Sequence, residues 1–283
     1  MKKSSLFGDF CRRLVKSWSA KLGLILLLFI IAACLIGPLL SSYTIIESDL
    51  TLAYAKPSAE HILGCDSLGR DMLVRLMYGG RYSLLLGLVS AVVSALIGTA
   101  IGLFAGYAGG ATETLIMRFM DVWSALPGML LCILISAAIG SASFLATVVA
   151  LTVGSIPGVV RMTRGQVLSE MGREYIEAAE SINCSKASIM FRHLMPNVIQ
   201  PTIVITTMSI GGTIGMAASL SYIGLGIQPP TPEWGAMLSA GKEYVTTYPH
   251  LIAAPGIAIA LTVLAINLLG DGLRDALDPK LRN

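Results

Sequence analysis

The chain has 283 residues, 54% of them hydrophobic and only 13% charged, with a mean hydropathy of +0.74. A soluble domain carries about a quarter charged residues, so this composition excludes an ordinary water-soluble globule and points to the bilayer as solvent. The net charge of +3 is too small to suggest a nucleic-acid partner.

The first 21 residues form a basic tail, followed by an apolar run at 22–40 without a charge. Ile31-Ala32-Ala33-Cys34 loosely resembles a lipoprotein cleavage site, but the apolar run continues through Leu39 and Leu40. A cleavable signal core is shorter, so this run reads as an uncleaved anchor. After a segment at 41–78 come five more stretches near the roughly 20 apolar residues a spanning helix needs: 83–107, 122–139, 143–160, 198–223 and 251–270. The expectation is therefore an all-α, polytopic membrane protein with six spans and a tail at 271–283. Cys11, Cys34, Cys65, Cys132 and Cys184 share no C-x-x-C spacing and read as single thiols, not as a metal or disulfide set.

Orientation follows from the cations. With both termini placed in the cytoplasm, fifteen of the twenty Lys and Arg fall inside, and only Lys56, Arg70, Arg75, Arg81 and Lys242 fall outside. Within the spans, Ser90, Ser94, Gly98, Gly102 and Gly106 recur every four residues, and span five carries Gly211, Gly212, Gly215 and Ser219. Such faces let helix backbones approach closely, and they can also border a passage. Pro127, Pro157 and Pro255 lie in or beside spans, where each allows a kink. Arg118 and Asp121 are spaced to pair at the inner mouth of span three, and Asn267 is the main polar side chain deep in span six. An ion-driven carrier uses buried carboxylates or histidines as a relay. The spans offer almost no ionisable group, so uphill transport would have to be powered from elsewhere. Gly241-Lys242 lacks the Walker A spacing, no H-E-x-x-H occurs, and His61, His193 and His250 are scattered, so neither catalytic nor metal residues emerge and no cofactor is expected.

The long inner loop 161–196 reads as two short helices, 165–182 and 186–195, with the turn at Asn183, Ser185 as N-cap of the second, and Pro196 as the break into span five. Its Glu177-Ala178-Ala179, followed by His193-Leu194-Met195-Pro196-Asn197, resembles the EAA motif of ABC-importer permeases. Three further stretches narrow the likeness. Gly64-Cys65-Asp66-Ser67-Leu68-Gly69-Arg70-Asp71 is similar to a G-T-D-x-x-G-R-D signature. The stretch from Ser221 through Gln228-Pro229-Pro230-Thr231-Pro232-Glu233-Trp234-Gly235 is similar to the family's outer loop, and Leu268 to Pro279 to its tail. Together they resemble the second (C-type) permease subunit of dipeptide, oligopeptide and nickel importers. Two positions depart from the pattern: Asn183 stands where Gly is usual, and Cys65 where Thr is usual.

The resemblance implies a type I ABC-importer permease fold, with the permease domain at 79–270 and its coupling loop at 161–196. It implies a prokaryotic inner-membrane location and no enzyme activity in this chain, since ATP hydrolysis belongs to partner subunits. The expected partners are a homologous permease subunit, two ATP-binding subunits and an extracytoplasmic solute-binding protein. The residues expected at the ATPase contact are Glu177, Ala178, Ala179, Asn183, Arg192 and His193. Asp66, Arg70, Asp71, Glu233 and Trp234 either shape the face that meets the binding protein or only cap and pin loops. The expected cargo is di- or oligopeptide, with nickel or metal chelates as the alternative, and an ion-driven carrier as the reading from another class.

Overall fold

The computed structural model describes residues 17–277. Among them the regular structure is helical: α1 Trp18–Leu40, α2 Met72–Ala108, α3 Gly110–Trp123, α4 Gly128–Ile139, α5 Phe144–Met171, α6 Glu174–Ser181, α7 Lys186–Tyr222, α8 Trp234–Gly241 and α9 His250–Leu277. Five of these, α1, α2, α5, α7 and α9, are long and apolar enough to cross a membrane unaided. The expected third span is not one rod. Over residues 110–139 the chain instead forms two helices, α3 and α4, bent by 81° at a short break. Pro127 is the N-cap residue of α4, and its ring cannot extend the preceding helix.

Helix ends also differ from the hydropathy boundaries. α2 begins at Met72, eleven residues before the apolar run, because Asp71 caps it by accepting from the Val74 N–H at 2.8 Å. The polar first turns hold Arg75 and Arg81, whose guanidiniums donate to the backbone carbonyls of Ile45 and Cys34, both at 2.8 Å. α5 runs on to Met171, so the first helix expected in the 161–196 loop is split: its front half belongs to α5, and only α6 stands apart. Pro196 does not break the chain. Lys186 to Tyr222 is one 37-residue helix with a π turn at Ile189–Leu194, and Pro196 lies in the first turn after that π turn, beside the loosened ladder.

The small-residue stripe of α2 is a packing face. Ser90, Ser94, Gly98, Gly102 and Gly106 are all buried, and the α2–α5 contact is the most extensive between helices. A Cβ on Gly102 would lie 2.6 Å from the Val160 carbonyl, and one on Gly106 2.8 Å from the Val167 Cβ. In lipid, where apolar side chains gain nothing by leaving the solvent, such close approach is what holds helices together. Gly23 of α1 sits likewise against the backbone of α9 near Ala265 and Leu269. Gly212 and Gly215 of α7 differ, since a Cβ there would meet nothing within 4 Å.

Two clusters mark the ends of the bundle. At one end Leu103, Val167, Ile176, Ala179, Ile189, Leu194 and Val198 join α2, α5, α6 and α7. At the other, Cys34, Met72, Trp234, Met237 and Leu251 join α1, α2, α8 and α9.

Candidate functional site

The first site is the elbow α6–turn–α7. Its acidic first turn carries Glu174 and Glu177 beside the free N–H groups of the helix N-terminus, where negative charge is favoured. Ile176 and Ala179 face inward at 1% and 4% exposure and anchor the helix in the end cluster. Glu177 and Ala178 on the other side are exposed. The expectation for the two alanines therefore divides: Ala178 is open to a partner, and Ala179 is packed inside the chain.

The turn forms as its residues dictate. Asn183 adopts φ +56°, the left-handed region that Asn tolerates best after Gly. The Ser185 hydroxyl accepts from the Ser188 N–H at 3.2 Å as the N-cap of α7. Asn183 and Arg192 are exposed and His193 is half-buried, so the structure brings Glu177, Ala178, Asn183, Arg192 and His193 to one end of the bundle.

A hydrogen-bond chain that the sequence did not announce locks the elbow. The Tyr175 hydroxyl donates to Glu170 at 2.6 Å and accepts from the Asn197 amide at 3.0 Å, and that same amide donates to the His193 carbonyl at 2.8 Å. α5, α6 and α7 are thereby tied at one phenol. Partial desolvation, although Tyr175 is 38% exposed, together with the hydrogen bond to the Glu170 carboxylate pushes that phenol up to about 12, so it stays protonated and keeps its donor role. At the same end Glu113 of α3 accepts from Arg164 at 2.6 Å, and Asp121 lies 3.2 Å from Arg161 and 3.8 Å from Arg118.

The second site is at the opposite end. The hairpin 64–71 closes with a bridge between Cys65 and Asp71. Gly64 and Gly69 take φ +74° and +72°, conformations open chiefly to glycine. The Asp66 Oδ1 accepts from the Leu68 and Arg70 N–H groups at 2.9 and 3.0 Å, and its Oδ2 pairs with Arg70 at 2.7 Å and Arg75 at 3.3 Å. Asp71 is buried, capping α2 and pairing with His61 Nδ1 at 2.9 Å. The Cys65 thiol is fully buried, and burial pushes it up to about 11, leaving it protonated and unreactive at neutral pH.

Glu233 and Trp234 are interior residues at 0% and 1% exposure. Glu233 caps α8 by accepting from the Ala236 N–H at 3.0 Å and takes the Ser83 hydroxyl at 2.8 Å. The Trp234 indole donates to the Leu76 carbonyl at 2.8 Å. Gly79 and Gly80 make this seat, since a Cβ on Gly79 would overlap the Pro232 carbonyl and one on Gly80 would lie 2.6 Å from the Trp234 ring. Of the five residues expected at this face, Asp71, Glu233 and Trp234 are buried and pin loops, and Asp66 and Arg70 hold the hairpin together with side chains still 13% exposed.

Between the ends, α7 borders two open cavities. One of about 230 Å³ is lined by Gly128, Cys132, Gly154, Ser155, Ser209 and Gly212, and one of about 450 Å³ by Met129, Gly215, Ser219, Tyr222 and Gly256. Asn267, expected deep in span six, is exposed on α9. Among the described residues no group of three His, Cys, Asp or Glu could hold a metal.

Residues 98–283 match the family described as binding-protein-dependent transport system inner membrane component, and residues 5–57 match the N-terminal transmembrane domain of oligopeptide transport permease C. The chain belongs to this permease family. It is 42% identical over 267 residues to the di/tripeptide transport system permease protein DppC of Pseudomonas aeruginosa, covering 92% of this chain and 88% of that one. It is 47% identical over 227 residues to the glutathione transport system permease protein GsiD of Pectobacterium atrosepticum, covering 80% and 75%. A structure of the MetNI methionine ABC transporter in inward-facing conformations aligns with a TM-score of 0.61 at 19% identity, covering 73% of this permease and 98% of that chain. This likeness establishes the type I permease fold. The permease is accordingly a pore-forming subunit of an ATP-driven importer and not itself an ATPase, and its family membership sets aside the ion-driven carrier.

Proposed function

We propose that this permease forms one half of the membrane passage of a peptide importer, with both termini in the cytoplasm. It would be paired with a homologous permease, driven by two ATP-binding subunits and fed by an extracytoplasmic solute-binding protein. Peptide cargo is favoured over nickel because the permeases it resembles are named for di/tripeptides and glutathione. The observation that carries the reading is the elbow. Its Glu177, Ala178, Asn183 and Arg192 are exposed, with His193 beside them, while Ile176 and Ala179 bind it to the bundle. A surface so anchored suits the transmission of force from a nucleotide-binding partner to α7. The open faces of Gly212, Gly215 and Ser219 on that helix suit a passage that widens when the elbow moves.

The test is Glu177→Arg. The variant chain is expected in the membrane at wild-type level, without peptide uptake and without co-purifying ATPase subunits. Normal uptake in this variant overturns the docking assignment.

A further inference from the structure

The cavity between the 64–71 hairpin and the 229–232 loop holds more positive charge than its own residues neutralise. It is lined by Asp66, Ser67, Arg70, Arg75 and Thr231 over an apolar floor that includes Met237. Arg75 is 4% exposed, and the Arg70 side chain 13%. One carboxylate serves both guanidiniums, and Asp66 is saturated: its Oδ1 takes two backbone N–H groups, and its Oδ2 takes Arg70 at 2.7 Å and Arg75 at 3.3 Å. The Arg75 Nη1 donates to the Ile45 carbonyl at 2.8 Å. Among the described residues the remaining N–H groups of the two guanidiniums have no protein acceptor. Glu233, on the adjoining helix, is spent on Ser83 and the Ala236 N–H and does not line the cavity.

No nitrogen of Arg70 or Arg75 is a buried orphan, so their unspent donors open on the cavity itself, where an anion can meet them. Arginine's planar fork matches a carboxylate in particular. The cavity volume, about 40 Å³, suits a headgroup and not a whole peptide. Leu68, next in sequence to the lining residue Ser67, is exposed, as are Ile46, Leu50 and Ile62 on the same 41–71 segment, and such apolar surface suits a protein partner more than a free ion.

We infer that this cavity is a carboxylate socket, filled by an acidic side chain of the extracytoplasmic solute-binding partner. The inference rests on the importer reading and deepens it by naming the chemistry of one contact.

The experiment uses the assembled importer in lipid nanodiscs and the purified solute-binding protein. Assembly of each variant is checked by co-purification of the ATPase subunits. Arg70→Gln is expected to weaken the partner's Kd about tenfold, the scale of one charge-assisted hydrogen bond. Thr231→Val, which removes only a hydroxyl at the wall, is expected to weaken it less. Among Asp→Asn and Glu→Gln changes on the partner, one should lose its effect in the Arg70→Gln background. Unchanged Kd in both permease variants, with assembly intact, overturns the inference. So does competition in which sodium acetate protects the wild-type site while partner binding is unaffected. Absence of partner binding to the wild-type assembly is a distinct result that removes the importer reading itself.

Discussion

Arg81 of α2 supplies the hydrogen bond that Pro38 removes from α1: its Nε lies 2.8 Å from the Cys34 carbonyl, four residues before the proline, and its Nη2 lies 2.9 Å from the Leu35 carbonyl. Proline has no N–H to offer that carbonyl, and lipid offers no water in its place. The guanidinium also stacks 4.9 Å from the Tyr78 ring centroid. Arg81→Ala should cost about 1.5–3 kcal/mol, the range for hydrogen bonds to charged groups. The cost should shrink in a Pro38→Ala background, where residue 38 regains its N–H. Thermal unfolding of the four proteins of this cycle in detergent measures both effects, and equal costs in the two backgrounds would refute the pairing.

Glycines that look alike in the sequence should respond oppositely to alanine. Gly102→Ala drives a methyl to 2.6 Å from the Val160 carbonyl, so α2 and α5 must separate, at about 1–3 kcal/mol for overpacking. Gly215→Ala meets nothing within 4 Å and borders a cavity, so the chain should fold normally. Yield and melting temperature should fall for the first and hold for the second, and any change in the second should show in uptake alone.

The phenol clasp predicts a defect in coupling and not in assembly. Tyr175→Phe keeps the ring packing but removes the link among Glu170, Asn197 and α6. Peptide transported per ATP hydrolysed should drop several-fold while the ATPase subunits still co-purify. A wild-type ratio would show that the chain of hydrogen bonds is incidental.

Glu233 and Cys65 probe the opposite end. Glu233→Ala removes the α8 cap and the acceptor for Ser83, and should cost about 2 kcal/mol, whereas Glu233→Gln keeps a carbonyl acceptor and should cost less.

Burial, then the carboxylates of Asp71, Asp66 and Asp49, disfavour the Cys65 thiolate and push the thiol up to about 11. Raising the folded value above the ordinary 9.0 means the neutral form persists through pH 9 and gives way only toward 11. In single-cysteine variants, maleimide should therefore label Cys65 far more slowly than the half-exposed Cys184 at pH 7. Comparable rates would contradict the burial.

Hydropathy located the long helices because the bilayer imposes a length on them, and the elbow turn was legible because Asn183 and Ser185 are chemically specialised for it. Other features were hidden because they depend on distant partners. Arg75 and Arg81 made the first turns of α2 resemble a loop, since their acceptors, the Ile45 and Cys34 carbonyls, lie 30 and 47 residues away. Trp234 and Glu233 read equally well as surface or interior until Gly79, Gly80 and Ser83 are set against them. Pro196 suggested a break because the π turn ahead of it, which has already displaced the regular ladder, leaves no local mark in the residues.

The continuity of α7 has a mechanical consequence. At 1.5 Å per residue its 37 residues make a connecting rod about 55 Å long, reaching from the elbow to the far rim of the bundle. On the proposed coupling, a displacement imposed at Lys186 reaches Tyr222 through two loosened points, the widened coil at Ile189–Leu194 and the missing N–H of Pro201, so their combined stiffness would set how much of the stroke becomes an opening.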